Sequence, residues 1–243
     1  MGAGRTPPPF RWSILLHPLF PIRWVQWRIA RTEVARAAFN ADTVGPAVPP
    51  KSRLLDVGSW DARTAALLRD ERGCDVIAVD VVDKNVTDVP FATFDGIHLP
   101  ADDGTRDVVT ILYVLHHAED DLALLQEARR VLAPGGRVLV AEDMVETPLQ
   151  RLVTVGFHLW LWFWTWMGWD GSFRTKEQWR ERFAAAGLRI TEARELGPHL
   201  GKALWPRNVL FVLEADEGLT PPAAANRRCP LRGSRPRSGR PPR

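Results

Sequence analysis

The sequence predicts an α/β fold in which a mostly parallel sheet of seven strands carries helices on both faces. Apolar strand patterns alternate with helical patterns along most of the chain, as expected for parallel strands joined by helices. Several strand patterns are nearly continuous apolar runs, which is typical of strands buried on both faces. Acidic residues and glycines follow these runs, at the strand ends where open α/β sheets bind ligands.

The predicted elements follow one another in a regular order. Strand patterns lie at 53–57, 75–81, 91–94, 107–112 and 137–141, with two more near 188–195 and 208–214. Helix patterns lie at 21–40, 61–72, 120–132 and 175–186. The helix at 120–132 has Asp120 and Asp121 at its positive end and stops before Pro134, which is favourable capping chemistry.

Composition divides the chain into three parts. We expect an N-terminal extension with a basic, Trp-containing helix at 1–50, one domain at 51–215 and a disordered Arg- and Pro-rich tail at 216–243, with 43–52 as a turn-rich linker. The basic residues concentrate at the two ends, so the pI of about 9.2 conceals an acidic body. An acidic body argues against specific nucleic-acid binding. Two cysteines far apart form no disulfide framework, and we expect a cytoplasmic protein.

Residues at the strand ends predict a pocket for a nucleotide cofactor. Gly58 follows the first strand, where the lack of a Cβ lets the backbone approach a ligand closely. Asp80 ends the second strand, where a carboxylate can accept hydrogen bonds from both ribose hydroxyls. A nicotinamide oxidoreductase is an alternative, but it predicts G-x-G-x-x-G, and this loop has only the first of those glycines.

Five segments together resemble a class I S-adenosylmethionine-dependent methyltransferase of the small-molecule type, similar to methyltransferase domain family 11. They are LLDVGSWDARTAALL, VIAVDVV, FDGIHLP, DVVTILYVLHHAEDDLALLQEARRVLAPGGRVLVAED and SFRTKEQWRERFAAAGLRI. The resemblance covers about residues 51–215. It implies a Rossmann-like fold, S-adenosylmethionine as the cofactor and methyl transfer to a small-molecule acceptor.

The resemblance also implies roles for individual residues. Asp56 and Gly58 would lie beside the methionine part of the cofactor, and Asp80 would hold the ribose. Asp95 would accept a hydrogen bond from the adenine amino group, while Gly96 would donate a backbone N–H to the ring. Ser59, Val81 and Tyr113 are assigned to the same cofactor pocket.

The glycine loop departs from the family pattern D-x-G-x-G-x-G. Trp60 and Ala62 stand where that pattern has its second and third glycines. A positive φ at Trp60 would cost of order 1 kcal/mol or more, whereas we expect Ala62 to cost little. We expect the indole to turn away from the cofactor. The alternative is an inactive fold that acts as a membrane-associated binding module.

Histidines near the predicted site are candidates for assisting methyl transfer. Because the methyl group of a sulfonium is already activated, positioning can carry most of the catalysis. A base would help a hydroxyl or amine acceptor, and His117 is the candidate for it, unless the histidines after strand four bond only to backbone. The acceptor pocket is assigned His116, His158, Trp160 and Trp164.

Other polar residues are given smaller roles. Glu142 and Asp143 either face the acceptor or cap the next helix. His17, His98 and His199 form no cluster with carboxylates or cysteines, so no metal site is expected.

The segment 152–169 has no charged residue and contains five of the eleven tryptophans. It approaches the length of a membrane span, but the strands on either side belong to one sheet, which could not form across a bilayer. We therefore expect residues 149–169 to form a Trp-rich lid over an apolar acceptor pocket. In the alternative, the lid and the helix 21–40 also make peripheral contact with a membrane through Trp and Arg. The sequence leaves the oligomeric state open.

Overall fold

The computed structural model describes residues 23–165, 172–198, 206–216 and 218, with side chains from residue 31 and, in the Trp-rich segment, up to 159. The strands are β1 (Arg53–Val57), β2 (Asp75–Asp80), β3 (Phe91–Thr93), β4 (Arg106–Leu112), β5 (Leu132–Met144), β6 (Leu188–Pro198) and β7 (Arg207–Ala215). The helices are α1 (Arg23–Val44), α2 (Arg63–Arg72), α3 (Asp121–Val131), α4 (Pro148–Thr165) and α5 (Lys176–Ala185).

The seven strands form one sheet in the order β3-β2-β1-β4-β5-β7-β6. The first five strands pair in parallel, and β7 runs antiparallel to both of its neighbours, β5 and β6. The expectation of a seven-stranded, mostly parallel sheet is confirmed. The strand order reverses between β1 and β4, and ligands of such sheets bind at this switch point, beyond the carboxyl ends of the strands.

Both faces of the sheet are buried, which explains the continuous apolar runs. Leu54 of β1 belongs to the core that includes residues of α1 and α2. Leu55, the next residue, belongs to the core on the opposite face, with residues of α3 and α5. Successive side chains of a strand point to opposite faces, so a strand covered on both sides is mainly apolar along its length.

Local capping chemistry explains where two helices begin. The Asp120 side chain accepts a hydrogen bond from the Ala123 N–H at 3.0 Å, at the N-terminus of α3. Thr175 and Gln178 form a capping box at the start of α5, which satisfies two backbone N–H groups reciprocally. The helices expected at 120–132 and 175–186 are therefore confirmed, within a residue or two of their ends.

The segment 43–52 differs from the expected linker. Helix α1 continues to Val44, and a 3-10 turn follows at Gly45–Ala47. Val44 and Val48 are fully buried, and the Arg72 side chain donates to the Val48 carbonyl at 2.7 Å. The prediction of a linker was wrong. The glycine and prolines bend the chain against the core, so this segment packs onto the domain and does not separate α1 from it.

Several expected features lie outside the described residues. They are the segment 1–22, the end of the lid at 166–171 and nearly all of the tail. The described part of the lid is helix α4. Among the helices that the structure describes, none has the length and apolar character needed to cross a bilayer.

Candidate active site

Three of the predicted site segments meet at the switch point of the sheet. Val57 of β1 is paired with Val79 of β2 and with Ile111 of β4. The residues that follow these three, beginning at Gly58, Asp80 and Leu112, therefore lie side by side at one edge. The N–H groups of Gly58 and Ser59 donate to the Val79 carbonyl at 2.8 and 3.0 Å, which ties the glycine loop to β2.

Gly58 is required by two independent constraints. Its φ of +68° lies in the left-handed region, which glycine adopts at no steric cost. A Cβ at this position would also lie 2.3 Å from Val114 Cγ2, far inside van der Waals contact. The structure therefore requires glycine here because Val114 packs against it, whereas the expected close approach of a ligand stays a prediction.

Trp60 and Ala62, which replace the second and third glycines of the family pattern, both have the positive φ that glycine adopts readily. Trp60 has a φ of 57° and Ala62 a φ of 61°. The cost foreseen for Trp60 is therefore present, while the expectation that Ala62 costs little was wrong, because Ala62 adopts the left-handed region as well. Tyr113, at the end of β4, is a third such residue, with a φ of 61°. Strained backbone of this kind concentrates at functional sites.

The indole of Trp60 is packed against two cations. Lys84 Nζ lies 3.6 Å from the ring centroid, and the Arg36 guanidinium carbon lies 5.6 Å from it. Arg36 belongs to α1 and Lys84 to the connection between β2 and β3, so the ring bridges α1 and that connection. Cation–π contacts of this kind offset part of the backbone cost at Trp60.

Asp56 and Ser59 anchor the loop from beneath. Both carboxyl oxygens of the buried Asp56 accept hydrogen bonds, from Ser59 Oγ at 2.5 Å and from Thr110 Oγ1 at 2.6 Å. Burial raises the pKa of Asp56 to about 6, although these two hydrogen bonds oppose the shift. The Asp56 side chain, expected beside the cofactor, is thus used to join the loop to β4.

Two backbone N–H groups hold the carboxylate of Asp80, the residue expected to bind the ribose. Its Oδ2 accepts the Trp60 N–H at 2.8 Å and its Oδ1 accepts the Val82 N–H at 3.3 Å. Each oxygen of a carboxylate can accept more than one hydrogen bond, so both remain able to accept from hydroxyl groups. The two backbone donors fix the direction in which the carboxylate faces.

The residues assigned to the adenine ring lie next to this carboxylate. Gly96 has a φ of +92°, and a Cβ there would contact Val81 Cγ1 at 3.4 Å, so Gly96 and Val81 adjoin. Asp95 Oδ2 lies 2.6 Å from His98 Nδ1, which corrects the expectation that His98 has no carboxylate partner. Burial opposes ionisation of Asp95, but hydrogen bonds from His98 and Ile97 outweigh it and lower its pKa to about 2.

Residues 113–117 follow β4 and form the segment that we call the rim, and Tyr113 ties the start of this rim to β7. Its hydroxyl accepts a hydrogen bond from Asn208 Nδ2 of β7 at 2.9 Å. Burial raises the pKa of the phenol further above its ordinary value. Tyr113 therefore serves as a partly buried anchor for the loop that leads to the histidines.

His116, His117 and His158 come together at the carboxyl ends of β4 and β5. Nδ1 of the buried His116 lies 2.5 Å from Oε2 of the fully buried Glu142, whose Oε1 accepts the Leu115 N–H at 2.7 Å. His158 Nε2 lies 3.3 Å from His116 Nε2, and the His117 ring centroid lies 4.1 Å from that of His116. The three residues predicted separately as base and pocket thus form one cluster.

Burial controls protonation in this cluster. It lowers the pKa of His116 to about 3 and raises that of Glu142 to about 8, because both charged forms lose their hydration. It also lowers the pKa of His158 to about 4. Both shifts favour an uncharged pair, in which the His116 imidazole is neutral and the Glu142 carboxyl is protonated. Burial, and then the adjacent Glu142, raise the pKa of Asp143 well above its usual value.

Glu142 and Asp143 do not cap the next helix. Thr147 performs that role, since its Oγ1 accepts the Gln150 N–H at 3.2 Å in the first turn of α4. Asp143 Oδ2 instead lies 3.6 Å from His158 Nε2, so both acids belong to the histidine cluster. The capping alternative was wrong.

Some site residues were missed, and others stay untested. Thr110, Asn208 and Lys84 were not predicted as site residues, although the first two are polar residues inside apolar strand patterns. Trp160 and Trp164 lie in α4, with side chains outside the described residues, and His17 and His199 are also outside.

Comparisons with known proteins agree with this arrangement. A family model described as a methyltransferase domain matches residues 24–193. A demethylmenaquinone methyltransferase of Beutenbergia cavernae is 36% identical over 100 residues, which are 38% of this chain and 41% of that protein. A ubiquinone/menaquinone biosynthesis C-methyltransferase of Teredinibacter turnerae is 35% identical over 160 residues, 59% of this chain and 62% of that protein.

The solved structures agree on the fold. A Burkholderia thailandensis 1,6-didemethyltoxoflavin N1-methyltransferase, with S-adenosylhomocysteine bound, has a TM-score of 0.58 at 19% identity, covering 89% of this chain and 94% of that one. The chain spans less than two thirds of the length of the two curated relatives. The matched family model nevertheless extends over most of the chain. The chain therefore belongs to the methyltransferase domain family, with the fold of the class I S-adenosylmethionine-dependent enzymes.

Proposed function

We propose that this protein transfers a methyl group from S-adenosylmethionine to a small hydrophobic acceptor, with a hydroxylated or quinol-type ring as the first class to test. The observation that carries the proposal is the convergence of the Gly58 loop, Asp80 and the Val81–Gly96 contact at the switch point. Two curated relatives are named as methyltransferases of menaquinone or ubiquinone biosynthesis, which supports the acceptor class.

The residues at the switch point fit the cofactor. Asp80 keeps free acceptor positions on both oxygens for the ribose hydroxyls. Gly58 has no side chain of its own at the turn, where Val114 packs closely against it, and Gly96 adjoins Val81. Asp95 and Gly96 are the residues we assign to the adenine ring, and Asp80 is the one for the ribose.

The chain's own residues would act mainly by orientation. When bound, the sulfonium supplies a methyl group that is already activated for in-line displacement. The histidine cluster lies where the rim meets α4, and the Phe173 ring, 4.5 Å from that of His158, gives this opening an apolar wall. His158 Nδ1 faces the Thr154 carbonyl at 2.8 Å, so its Nε2 can accept a hydrogen bond from an acceptor hydroxyl. His117, the exposed member, stays a candidate auxiliary base.

Calorimetric titration tests the cofactor assignment directly. The wild-type protein and Asp80→Asn are titrated with S-adenosylmethionine, S-adenosylhomocysteine and NADH, with Asp70→Asn as the matched control, since Asp70 is an exposed acid bonded to Arg69 on α2. We expect both sulfur compounds to bind, and Asp80→Asn to weaken them about tenfold to a hundredfold, because charged hydrogen bonds are lost. Binding of NADH alone, or an equal loss in Asp70→Asn, contradicts the proposal.

A second assay tests the acceptor class. The protein is incubated with isotopically labelled S-adenosylmethionine and a panel of hydrophobic quinols, phenols and amines, and labelled product is extracted into organic solvent. Transfer to quinols or phenols supports the proposal. Cofactor binding without transfer to any of them would favour the alternative of an inactive binding protein.

We also propose that α4 makes peripheral contact with a membrane surface. Leu149 and Leu152 are 70% and 69% exposed on this helix, which is unusual for two leucines one turn apart. Co-sedimentation with anionic liposomes should fall in Leu149→Ser/Leu152→Ser while cofactor binding stays unchanged. Equal sedimentation of the variant and the wild-type protein argues against the contact.

A further inference from the structure

His116 and His158 of the histidine cluster direct their Nε2 atoms toward each other. His116 Nδ1 is held by Glu142 Oε2 at 2.5 Å, and His158 Nδ1 is held by the Thr154 carbonyl at 2.8 Å. A carbonyl only accepts, so His158 Nδ1 carries its hydrogen and Nε2 has a lone pair. The two Nε2 atoms face each other at 3.3 Å.

This spacing is the one that a tetrahedral metal ion imposes on its ligands. Zinc–nitrogen bonds of about 2.0–2.1 Å at a tetrahedral angle place two ligand nitrogens about 3.3–3.4 Å apart. Histidines that bind metals usually donate the other ring N–H to a carboxylate or a backbone carbonyl. His116 and His158 each have such a partner, so both rings are already oriented for the same ion.

Further ligands stand beside this pair. The candidate ligand nitrogens of His116, His117 and His158 all lie within 4.8 Å of one another. Asp143 Oδ2 lies 3.6 Å from His158 Nε2, beside this group of nitrogens. His117 is exposed, whereas the other two histidines are largely buried, so the cluster opens to solvent on one side.

We propose that His116, His117 and His158 form a binding site for one divalent transition-metal ion of the zinc type. Imidazole ligands suit zinc, copper, iron and nickel, and three protein ligands leave a position open to an exogenous oxygen. If the proposed function holds, that oxygen belongs to the acceptor hydroxyl, which the ion would orient and acidify. This second clause depends on the proposed function, whereas metal binding itself does not.

The competing explanation is a chain of hydrogen bonds without metal. A protonated Glu142 would donate a hydrogen bond to His116 Nδ1. His116 would then carry its own hydrogen on Nε2 and donate it to His158 Nε2. That arrangement satisfies the same distances with protons alone. Metal titration distinguishes the two, because a proton-only cluster has no affinity for zinc above that of an ordinary surface histidine.

The experiment uses the full chain without an affinity tag, treated with chelator and then dialysed. Zn²⁺ is titrated against a chromogenic chelator, and Co²⁺ is added separately so that its visible absorption reports coordination number. We expect one ion per chain with micromolar or tighter affinity and an intense four- or five-coordinate cobalt spectrum. His117→Gln and His158→Gln should each weaken binding at least tenfold. His98→Gln, an exposed histidine outside the cluster, should bind as the wild-type protein does.

The controls separate misfolding from loss of a ligand. Circular dichroism is recorded for each variant, and His117→Gln is the decisive one because its side chain is the exposed member of the cluster. Absence of a cobalt spectrum in the wild-type protein, or an equal loss of affinity in His98→Gln, overturns the metal site. Calorimetry with S-adenosylmethionine on the same samples reports the proposed function independently, so the two can fail separately.

Discussion

At the scale of single residues, glycine is used where both the backbone angle and the space demand it. Gly58 and Gly135 have similar φ values of +68° and +74°. A Cβ at Gly58 would lie 2.3 Å from Val114, whereas one at Gly135 would meet nothing within 4 Å. The two positions therefore separate backbone strain from steric overlap.

Alanine substitutions at these two glycines should differ in cost. We expect Gly135→Ala to lower the free energy of unfolding by about 1 kcal/mol, the cost of a left-handed Cβ. Gly58→Ala should lower it by about 2 kcal/mol more, because Val114 must move, and should also abolish cofactor binding. Urea denaturation and calorimetry measure both. Equal losses of stability would show that the overlap with Val114 relaxes freely.

Asp56 predicts a pH dependence of stability with a definite sign. Its folded-state pKa is about 6, and the unfolded value of an aspartate is about 3.9. The folded state thus binds this proton more tightly, so the contribution is full below about pH 4 and is lost as pH rises through about 6. Between pH 4 and 7, the wild-type protein should lose about 2 kcal/mol relative to Asp56→Asn in urea denaturation. Parallel curves would mean that Asp56 has an ordinary pKa when folded.

At the scale of elements, two adjacent acids at the start of α3 perform different tasks. Asp120 caps the helix by accepting the Ala123 N–H. Asp121 is 3% exposed and forms ion pairs with Arg174 and Arg182, so it joins α3 to α5. The sequence shows both only as negative charges at the positive end of a helix.

The two acids should therefore differ in their effect on stability. We expect Asp120→Ala to lower the free energy of unfolding by about 1 kcal/mol, the value of an N-cap. Asp121→Ala should lower it by about 3 kcal/mol, because two arginines lose a buried partner. Thermal and urea unfolding of the two variants and the wild-type protein measure these free energies. A larger loss in Asp120→Ala would contradict the assigned roles.

At the scale of the whole molecule, α1 is part of the domain and not an appendage. Val44 and Val48 are fully buried in the same core as Leu54 and Leu68. The family match also begins at residue 24, within this helix. Helix α1 and the turn after it thus cover one face of the sheet, and Arg36 of α1 contacts Trp60 of the glycine loop.

Two truncations test this division of the chain. Deleting residues 1–50 should prevent cooperative folding, because it exposes the core that α1 and the following turn cover. Deleting residues 219–243 should leave the unfolding midpoint and cofactor affinity unchanged, since that segment is Arg- and Pro-rich and poor in core-forming residues. Circular dichroism melting and calorimetry report both. Loss of soluble, cofactor-binding protein in the second truncation would show that the tail contributes to the fold.

Local patterns sufficed for those parts of the fold that depend on near neighbours in the chain. Sequence patterns located the strands and four of the helices. The residues at strand ends indicated Gly58 and Asp80, because parallel strands bring their carboxyl ends to one edge. Segment 43–52 was misassigned because glycine and proline mark a bend equally well in a linker and against a core.

The sequence by itself determined the class of fold, since that follows from the order of strand and helix patterns along the chain, and its segments resembled the family that the comparisons show. The place of the cofactor pocket stays a prediction from the residues at the strand ends. Only the tertiary structure decided that His116, Glu142 and His158 meet, that Asp121 is buried between two arginines and that Asp56 serves the loop. The contact of His116 with Glu142 depends on the pairing of β4 with β5, and the contacts of His158 and Asp121 depend on how α4 and α5 pack. The role of Asp56 depends on the pairing of β1 with β4. Contacts between residues far apart in the chain leave no periodic pattern in the sequence.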